Sequence, residues 1–487
     1  MRPYPLTKRF LAVGVFLGAA TGLFLGAPLA GYAVAVLCVI VGVTWRRDSA
    51  PVFPYILATQ WLQVTCGYFF SLATGDLPGH IESGSVDWTV AVSLTGLLVM
   101  TSGIRVAEQL LQPRAREETE IAVGNLRGLF FLAMALYAVN YVSAINTKLF
   151  FAYDQILDRI LVARQIPLLV LWFEVLRRRQ HREYLWISLI FAVMSSFGSY
   201  FSDFKTPLLL ALIVSAAAWR PWETTWWHFK LGGVVRVLAI AATVVFLALV
   251  WQAGVKKDTR RAYDENAVGS NARERIEFVM ASAETAVPKV FNDTRAVVEG
   301  LIARIWYVEY FSFVLNRVPY IEPHAGGELL WMAIQNATMP RFLFPEKAVL
   351  PSDSYYTRRF AGIQVAEGGI TSIGIGYMAE FYADWGFAGM FISVFAFGGL
   401  MGAGAGLVRT QVRPHILINP AVMTVLLPMA TFEGQFIKSF AGLIVSVSII
   451  IAIVRVCRTP FASFLRLEAP AVAPDPVRRL LRRPVLT

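Results

Sequence analysis

The sequence predicts an all-α polytopic membrane protein with about twelve transmembrane helices and one large loop on the outer side. Three observations predict this class. Of 487 residues, 56% are hydrophobic and 16% are charged, against about 25% charged in an ordinary soluble domain. Mean hydropathy is +0.56. The basic excess, 44 − 33 = +11, sits in short clusters between apolar runs, which is a topology signal and not a nucleic-acid footprint. A soluble multidomain enzyme and a disordered chain are thereby excluded. Cys38, Cys66 and Cys457 all lie inside apolar runs and form no CxxC pair. Neither a disulfide framework nor a zinc site is expected.

A helix needs about 20 apolar residues to cross a bilayer. No charge occurs between Arg9 and Arg46. That run fits a helical hairpin broken at Gly26-Ala27-Pro28. It lacks a small-residue cleavage site before a polar segment, so it reads as retained. Further spans fall near 51–74, 87–104, 128–147, 184–202, 236–254, 385–408, 415–432 and 438–455. Two candidates are weaker: 157–176 carries Asp158, Arg159 and Arg164, and 206–219 is short. Loop charge decides them. With both counted, the basic clusters at 2–9, 46–47, 105–127, 177–182, 220–230, 409–413 and 455–458 all share the cytoplasmic side. Both termini are then cytoplasmic.

The predicted organisation follows. Residues 1–254 hold nine spans, 255–384 form the outer loop, 385–458 hold three spans, and 459–487 form a basic cytoplasmic tail. In the loop, Ser270 and Thr294 are placed to cap helices. Val297, Val298, Leu301, Ile302, Ile305 and Trp306 form one apolar stripe. Frequent Pro and Gly beyond Pro319 predict an ordered, irregular loop with short helices. The Arg-rich tail either touches anionic lipid or is a solvated end.

Ionisable groups in or beside spans are the first candidates for function. Arg164 either faces a cavity or snorkels to the outer headgroups. Lys205, at the start of a helix after Asp203, either adds charge to a phosphate site or pairs locally with Asp203. The outer loop is denser. Arg341 and Lys347 lie in a Pro-bounded turn, and Tyr355, Tyr356, Arg358 and Arg359 interleave aromatics with guanidiniums. Arg makes bidentate contacts to phosphate, and aromatics stack on sugars. His324 is either a general base or structural. Glu380, near Tyr377 and Asp384, either handles a proton or fixes the arginines. No P-loop, HExxH or GxSxG motif occurs, so the expected chemistry uses neither metal nor cofactor.

The run Pro340-Arg341-Phe342-Leu343-Phe344-Pro345-Glu346-Lys347 is followed by Gly369-Ile370-Thr371-Ser372-Ile373-Gly374. Then comes Ala379-Glu380-Phe381-Tyr382-Ala383-Asp384-Trp385-Gly386-Phe387-Ala388-Gly389. Together these resemble the Wzy-type O-antigen (oligosaccharide repeat-unit) polymerases. The turn in Gly198 to Leu210 also resembles a turn of that family, with Lys205 in place of an expected Arg. The resemblance implies a bacterial inner-membrane glycosyltransferase whose large loop is periplasmic. It implies transfer of a glycan from undecaprenyl pyrophosphate to the next lipid-linked repeat unit. Arg341, Lys347, Arg358, Arg359, Arg164 and Lys205 would then bind pyrophosphate. Tyr355, Tyr356 and Tyr377 would bind sugar, and Glu380 and His324 would handle the proton. Membrane lipid is an expected partner, with a chain-length regulator or flippase as a protein partner. An O-antigen ligase and a non-enzymatic lipid-linked oligosaccharide flippase or polysaccharide transporter are the alternative readings.

Overall fold

A backbone in an apolar solvent must satisfy its own hydrogen bonds, and the helix does so within one segment. The computed structural model answers this almost wholly with helices. It describes residues 5–45, 50–78, 86–111, 122–145, 161–196, 205–219, 242, 245–255, 258, 272–339, 344, 346, 351–364 and 373–468. The N-terminal part contains α1 (Pro5–Phe24), α2 (Pro28–Thr44), α3 (Val52–Thr74), α4 (Val86–Leu110) and α5 (Leu126–Ile145). Next come α6 (Gln165–Arg178), α7 (Arg182–Ser196) and α8 (Lys205–Trp219). The expected outer loop holds α9 (Ala272–Asn292), α10 (Thr294–Ile305), α11 (Val308–Arg317), α12 (Glu328–Thr338) and α13 (Asp353–Tyr356). The chain closes with α14 (Tyr377–Gln411), α15 (Ile418–Leu426) and α16 (Phe436–Leu465). A two-residue antiparallel ladder pairs Ala122 with Glu468 and Val123 with Leu467.

The expectation of about twelve transmembrane helices is not met. Among the described residues, three helices are long and apolar enough to cross a membrane: α4, α14 and α16. The reason is length and polarity. α2, α6, α7, α8 and α15 run to 17, 14, 15, 15 and 9 residues, and at 1.5 Å per residue they fall short of a hydrocarbon core of about 30 Å. Of the weak span at 157–176, residues 157–160 lie outside the described residues, and the described part holds the helix Gln165–Arg178 with Arg164 just outside it. The 415–432 span is a short α-helix flanked by 3₁₀ turns. α3 has the length, but Gln60, Gln63 and Thr65 make it polar.

The 255–384 segment is also more helical and more embedded than expected. α11 buries Val308, Phe311 and Val314 and packs against α4. Thr294 does not cap α10. Asp293 does, accepting from the Ala296 N–H, while the Thr294 hydroxyl donates back to the Val290 carbonyl at 2.7 Å. Ser270 lies outside the described residues. The apolar stripe of α10 divides between two cores. Val297, Val298 and Leu301 join a small cluster around Val250, Ala286 and Val290. Ile302 and Trp306 join the main core. The fully buried Trp306 donates its indole N–H to the Val64 carbonyl at 3.1 Å.

The three long helices run parallel. Along α4 and α14, Gly96 meets Met378, Gly103 meets Phe395, and Ile104 meets Gly402. Along α14 and α16, Phe397 meets Phe436 at 5.4 Å, and Gly404 meets Leu443 and Val447. At the C-terminal end of α14, Gln411 accepts a hydrogen bond from Arg455 of α16. The α4–α14 contact is close because glycines line it. A Cβ at Gly398 would stand 2.2 Å from the Met100 carbonyl oxygen, and one at Gly103 would stand 2.1 Å from that of Phe395.

This geometry separates two adjacent glycines. Gly398→Ala should destabilise the detergent-solubilised protein by about 1–3 kcal/mol through overpacking. Gly399→Ala meets only the Gly103 carbonyl oxygen, at 4.0 Å, and should be neutral or stabilising, since Ala favours helix by about 0.5–1 kcal/mol. Thermal unfolding of the two variants checks this, and equal midpoints would refute the close packing.

Candidate functional site

The site gathers at the N-terminal ends of α14 and α16. α14 begins after Gly376, and its first turns carry Tyr377, Glu380, Phe381, Tyr382 and Asp384, all buried. Glu380 and Asp384 are four residues apart and so share one helix face. Each accepts hydrogen bonds from the open start of another helix. Glu380 Oε2 accepts from the Phe436 N–H at 2.8 Å, at the start of α16. Asp384 Oδ1 and Oδ2 accept from the Leu329 and Leu330 N–H groups at 3.1 and 2.9 Å, at the start of α12. The first N–H groups of a helix have no partner within it and carry partial positive charge, which is why carboxylates sit there. Glu380 Oε1 differs. It is buried and has no hydrogen-bond partner among the described residues. Buried Gln435 Nε2, one residue before α16, has none either.

Polar side chains of α3 fasten the surrounding loop. Gln60 Nε2 donates to the Met429 carbonyl at 2.8 Å, and the Tyr377 hydroxyl donates to Gln60 Oε1 at 2.8 Å. Gln63 Oε1 accepts from the Phe432 N–H at 2.7 Å, and its Nε2 donates to Glu433 at 3.3 Å. Lys438, in the first turn of α16, pairs with Asp353 at 2.6 and 2.7 Å. That pair tethers α13 and the π-helical turn Thr357–Ala361 to α16. Burial pushes the phenols of Tyr307 and Tyr356 above their ordinary value, and the nearby carboxylates Glu433 and Glu380 respectively push them further.

Several expected site residues take other work. Arg359 is not a free phosphate ligand: it donates to Glu322 at 2.7 Å and to Glu328 at 3.0 Å, and it lies over the Phe360 ring. The Glu322 hydrogen bond is the main reason its guanidinium stays charged more firmly than usual. Arg358 neighbours it and is half-buried. Of the three tyrosines expected to bind sugar, only Tyr355 is exposed. Tyr356 is buried, its ring parallel to that of Phe360 and its hydroxyl near the Met332 sulfur. Tyr377 is buried against Gln60. Arg164 stands over the Tyr137 ring and donates to the Leu161 carbonyl at 2.9 Å, and among the described residues nothing joins it to the Glu380 cluster. Arg341, Lys347 and the Lys205 side chain lie outside the described residues.

His324 is exposed. Its Nδ1 donates to the Ala383 carbonyl at 3.3 Å. Nε2 faces Gly386, whose φ of 69° breaks α14 into two segments. The residues that sequence reasoning missed are Gln60, Gln63, Asp353, Glu433 and Lys438. The only signal available was polarity inside apolar stretches, and it does not say which of them meet. Among the described residues, no group of three or more His, Cys, Asp or Glu side chains could hold a metal.

The fold and site define a helical protein with three membrane-length helices and a polar cluster at their N-terminal ends. The chain belongs to a family described as a domain of unknown function (DUF8712), whose model matches residues 94–404. That match starts within α4 and ends within α14, the glycine-lined pair. No curated protein and no solved structure matches the chain.

Asp384→Ala removes both acceptors at the start of α12. It should cost about 1–2 kcal/mol, as loss of a helix cap does, and raise amide exchange across 326–338. Glu380→Gln keeps an acceptor for the Phe436 N–H and should leave the thermal midpoint nearly unchanged. Unaltered exchange in Asp384→Ala would show that α12 is held by packing alone.

Proposed function

We propose that this protein is a glycosyltransferase of the bacterial inner membrane that polymerises lipid-linked oligosaccharide repeat units. The observation that carries the reading is Glu380. It is a buried carboxylate with one oxygen unpartnered among the described residues, at the end of a membrane-length helix, inside the segment that resembles the polymerases. The Lys438–Asp353 pair and the Arg358–Arg359 turn adjoin the same helix ends.

The orientation follows from charge. Arg105, Arg409, Arg455 and Arg458 all lie toward the C-terminal ends of α4, α14 and α16. Basic ends favour the cytoplasm, so the Glu380 end faces the periplasm. There a lipid-linked donor presents its pyrophosphate at headgroup level. In the reaction an acceptor sugar hydroxyl oxygen forms a bond to the donor's anomeric carbon. The bond from that carbon to pyrophosphate oxygen breaks, and the lipid pyrophosphate leaves with the electron pair. The hydroxyl proton passes to Glu380 Oε1, a general-base role. Positive charge at the helix ends stabilises the leaving group.

Two measurements test this. Deletion should abolish long polymer while single-repeat lipid persists on the outer leaflet. Unattached long polymer would point instead to a ligase, and inner-leaflet retention to a flippase. Glu380→Gln at normal expression should lower polymer yield by about 10²-fold or more, the scale of general-base loss, and near-normal polymer would remove Glu380 from the chemistry.

Orientation is tested in a chain lacking Cys38, Cys66 and Cys457. A cysteine at Tyr320, which is 83% exposed, should react with a membrane-impermeant maleimide in outer-permeabilised cells. A cysteine at Arg458 should not. The reverse pattern would invert the orientation and the reaction built on it.

A further inference from the structure

Arg317 was singled out neither by motif nor by family match, and it occupies the place that Arg359 does not fill. It is the last residue of α11. The next residue, Val318, accepts the Tyr382 hydroxyl at 3.0 Å, which fixes this helix end beside the first turns of α14. Arg317 Nε donates to the Arg359 carbonyl at 2.9 Å. That bond holds the guanidinium against the end of the π-helical turn. The turn closes with Gly362 in the left-handed region at φ 73°. A Cβ there would lie 2.9 Å from Arg317 Nη1, so the absence of a side chain lets the guanidinium lie over the backbone.

The two neighbouring arginines are not equivalent. Arg359 is neutralised by Glu322 and Glu328. Among the described residues, the terminal nitrogens of Arg317 carry no hydrogen bond or ion pair. Arg317 is half-buried, and its Nε is already committed to a carbonyl. The side chain is therefore held in place by Nε beside the Gly362 backbone, and its two terminal nitrogens keep their N–H donors. A fixed guanidinium with two free parallel N–H groups suits a phosphate oxygen pair.

We infer that Arg317, held over Gly362 by the Arg359 carbonyl, is the guanidinium that binds the diphosphate of a polyprenyl-linked substrate. This rests on the proposed reading for the identity of the lipid and assigns a residue that reading does not contain. Arg359 then has a different task. Its two ion pairs shape the turn whose carbonyl positions Arg317.

The test uses the full chain in nanodiscs, with binding of undecaprenyl diphosphate, undecaprenyl monophosphate and phosphatidylglycerol measured by native mass spectrometry. Arg317→Ala should weaken undecaprenyl diphosphate binding about tenfold or more, as loss of a charge-assisted pair does. It should change phosphatidylglycerol binding little. Arg317→Lys keeps a donor to the Arg359 carbonyl and should fold normally, yet bind the diphosphate weakly for want of the fork. Gly362→Ala should displace the guanidinium and resemble Arg317→Ala. Wild-type diphosphate affinity in Arg317→Lys and Gly362→Ala overturns the inference, as does an equal loss of phosphatidylglycerol. If the wild type binds the diphosphate through Arg317 but cells lacking the protein still make polymer, the inference stands and the polymerase reading falls. If Arg317→Ala cells make full-length polymer, the inference falls and the polymerase reading stands.

Discussion

The close parallel contact between α4 and α14 sets the positions of everything else. Their backbones touch because Gly103, Gly398 and Gly402 carry no side chain at the interface. In a membrane, helices gain little from hiding apolar surface, so association rests on packing, and small residues allow the closest packing. A buried charge group fastens one end of the pair. Glu108 is buried between Arg409 at 2.6 Å and Arg105 at 3.4 Å. Two guanidiniums on one carboxylate explain why that acid is tolerated there, since an unpaired buried charge is costly.

At the opposite end the same pair presents the first turns of α14, and two carboxylates there organise the remaining helices. Glu380 holds the start of α16 and Asp384 holds the start of α12. Both use the same physics, a negative group at the positive end of a helix. They differ in completeness. Among the described residues, Asp384 engages both oxygens, and Glu380 engages one. A fully satisfied carboxylate is a structural part. A half-satisfied buried one retains a free acceptor, and this difference is the reason the proposed general-base role falls on Glu380.

Charge is segregated in the same direction. Arginines collect where α4, α14 and α16 end, and mixed acid–base pairs collect where α14 and α16 begin. The glutamates beside Arg359 convert an apparent cationic cluster into a neutral scaffold. A count of basic residues along a loop therefore overstates the positive potential at the site. Among the described residues, Arg317 differs: its neighbours are the Arg359 carbonyl and Gly362, not carboxylates.

Composition and hydropathy by themselves determined that the chain is helical and membrane-type, because apolar runs with few charges leave the backbone no other way to satisfy itself. They also pointed to Glu380, since a carboxylate in an apolar helix after glycines is conspicuous in one dimension. The number of membrane-length helices was not legible. A run of apolar residues reports burial, and burial inside the protein and burial in lipid look alike until the helix ends are known. Nor was the engagement of Arg359 with Glu322 and Glu328, 37 and 31 residues away in sequence. Whether Tyr356 and Tyr377 face a ligand or the core was equally hidden. Those outcomes depend on which segments meet. That is decided by helix packing in three dimensions, where a glycine contact or a capped helix start brings together residues that the linear order keeps apart.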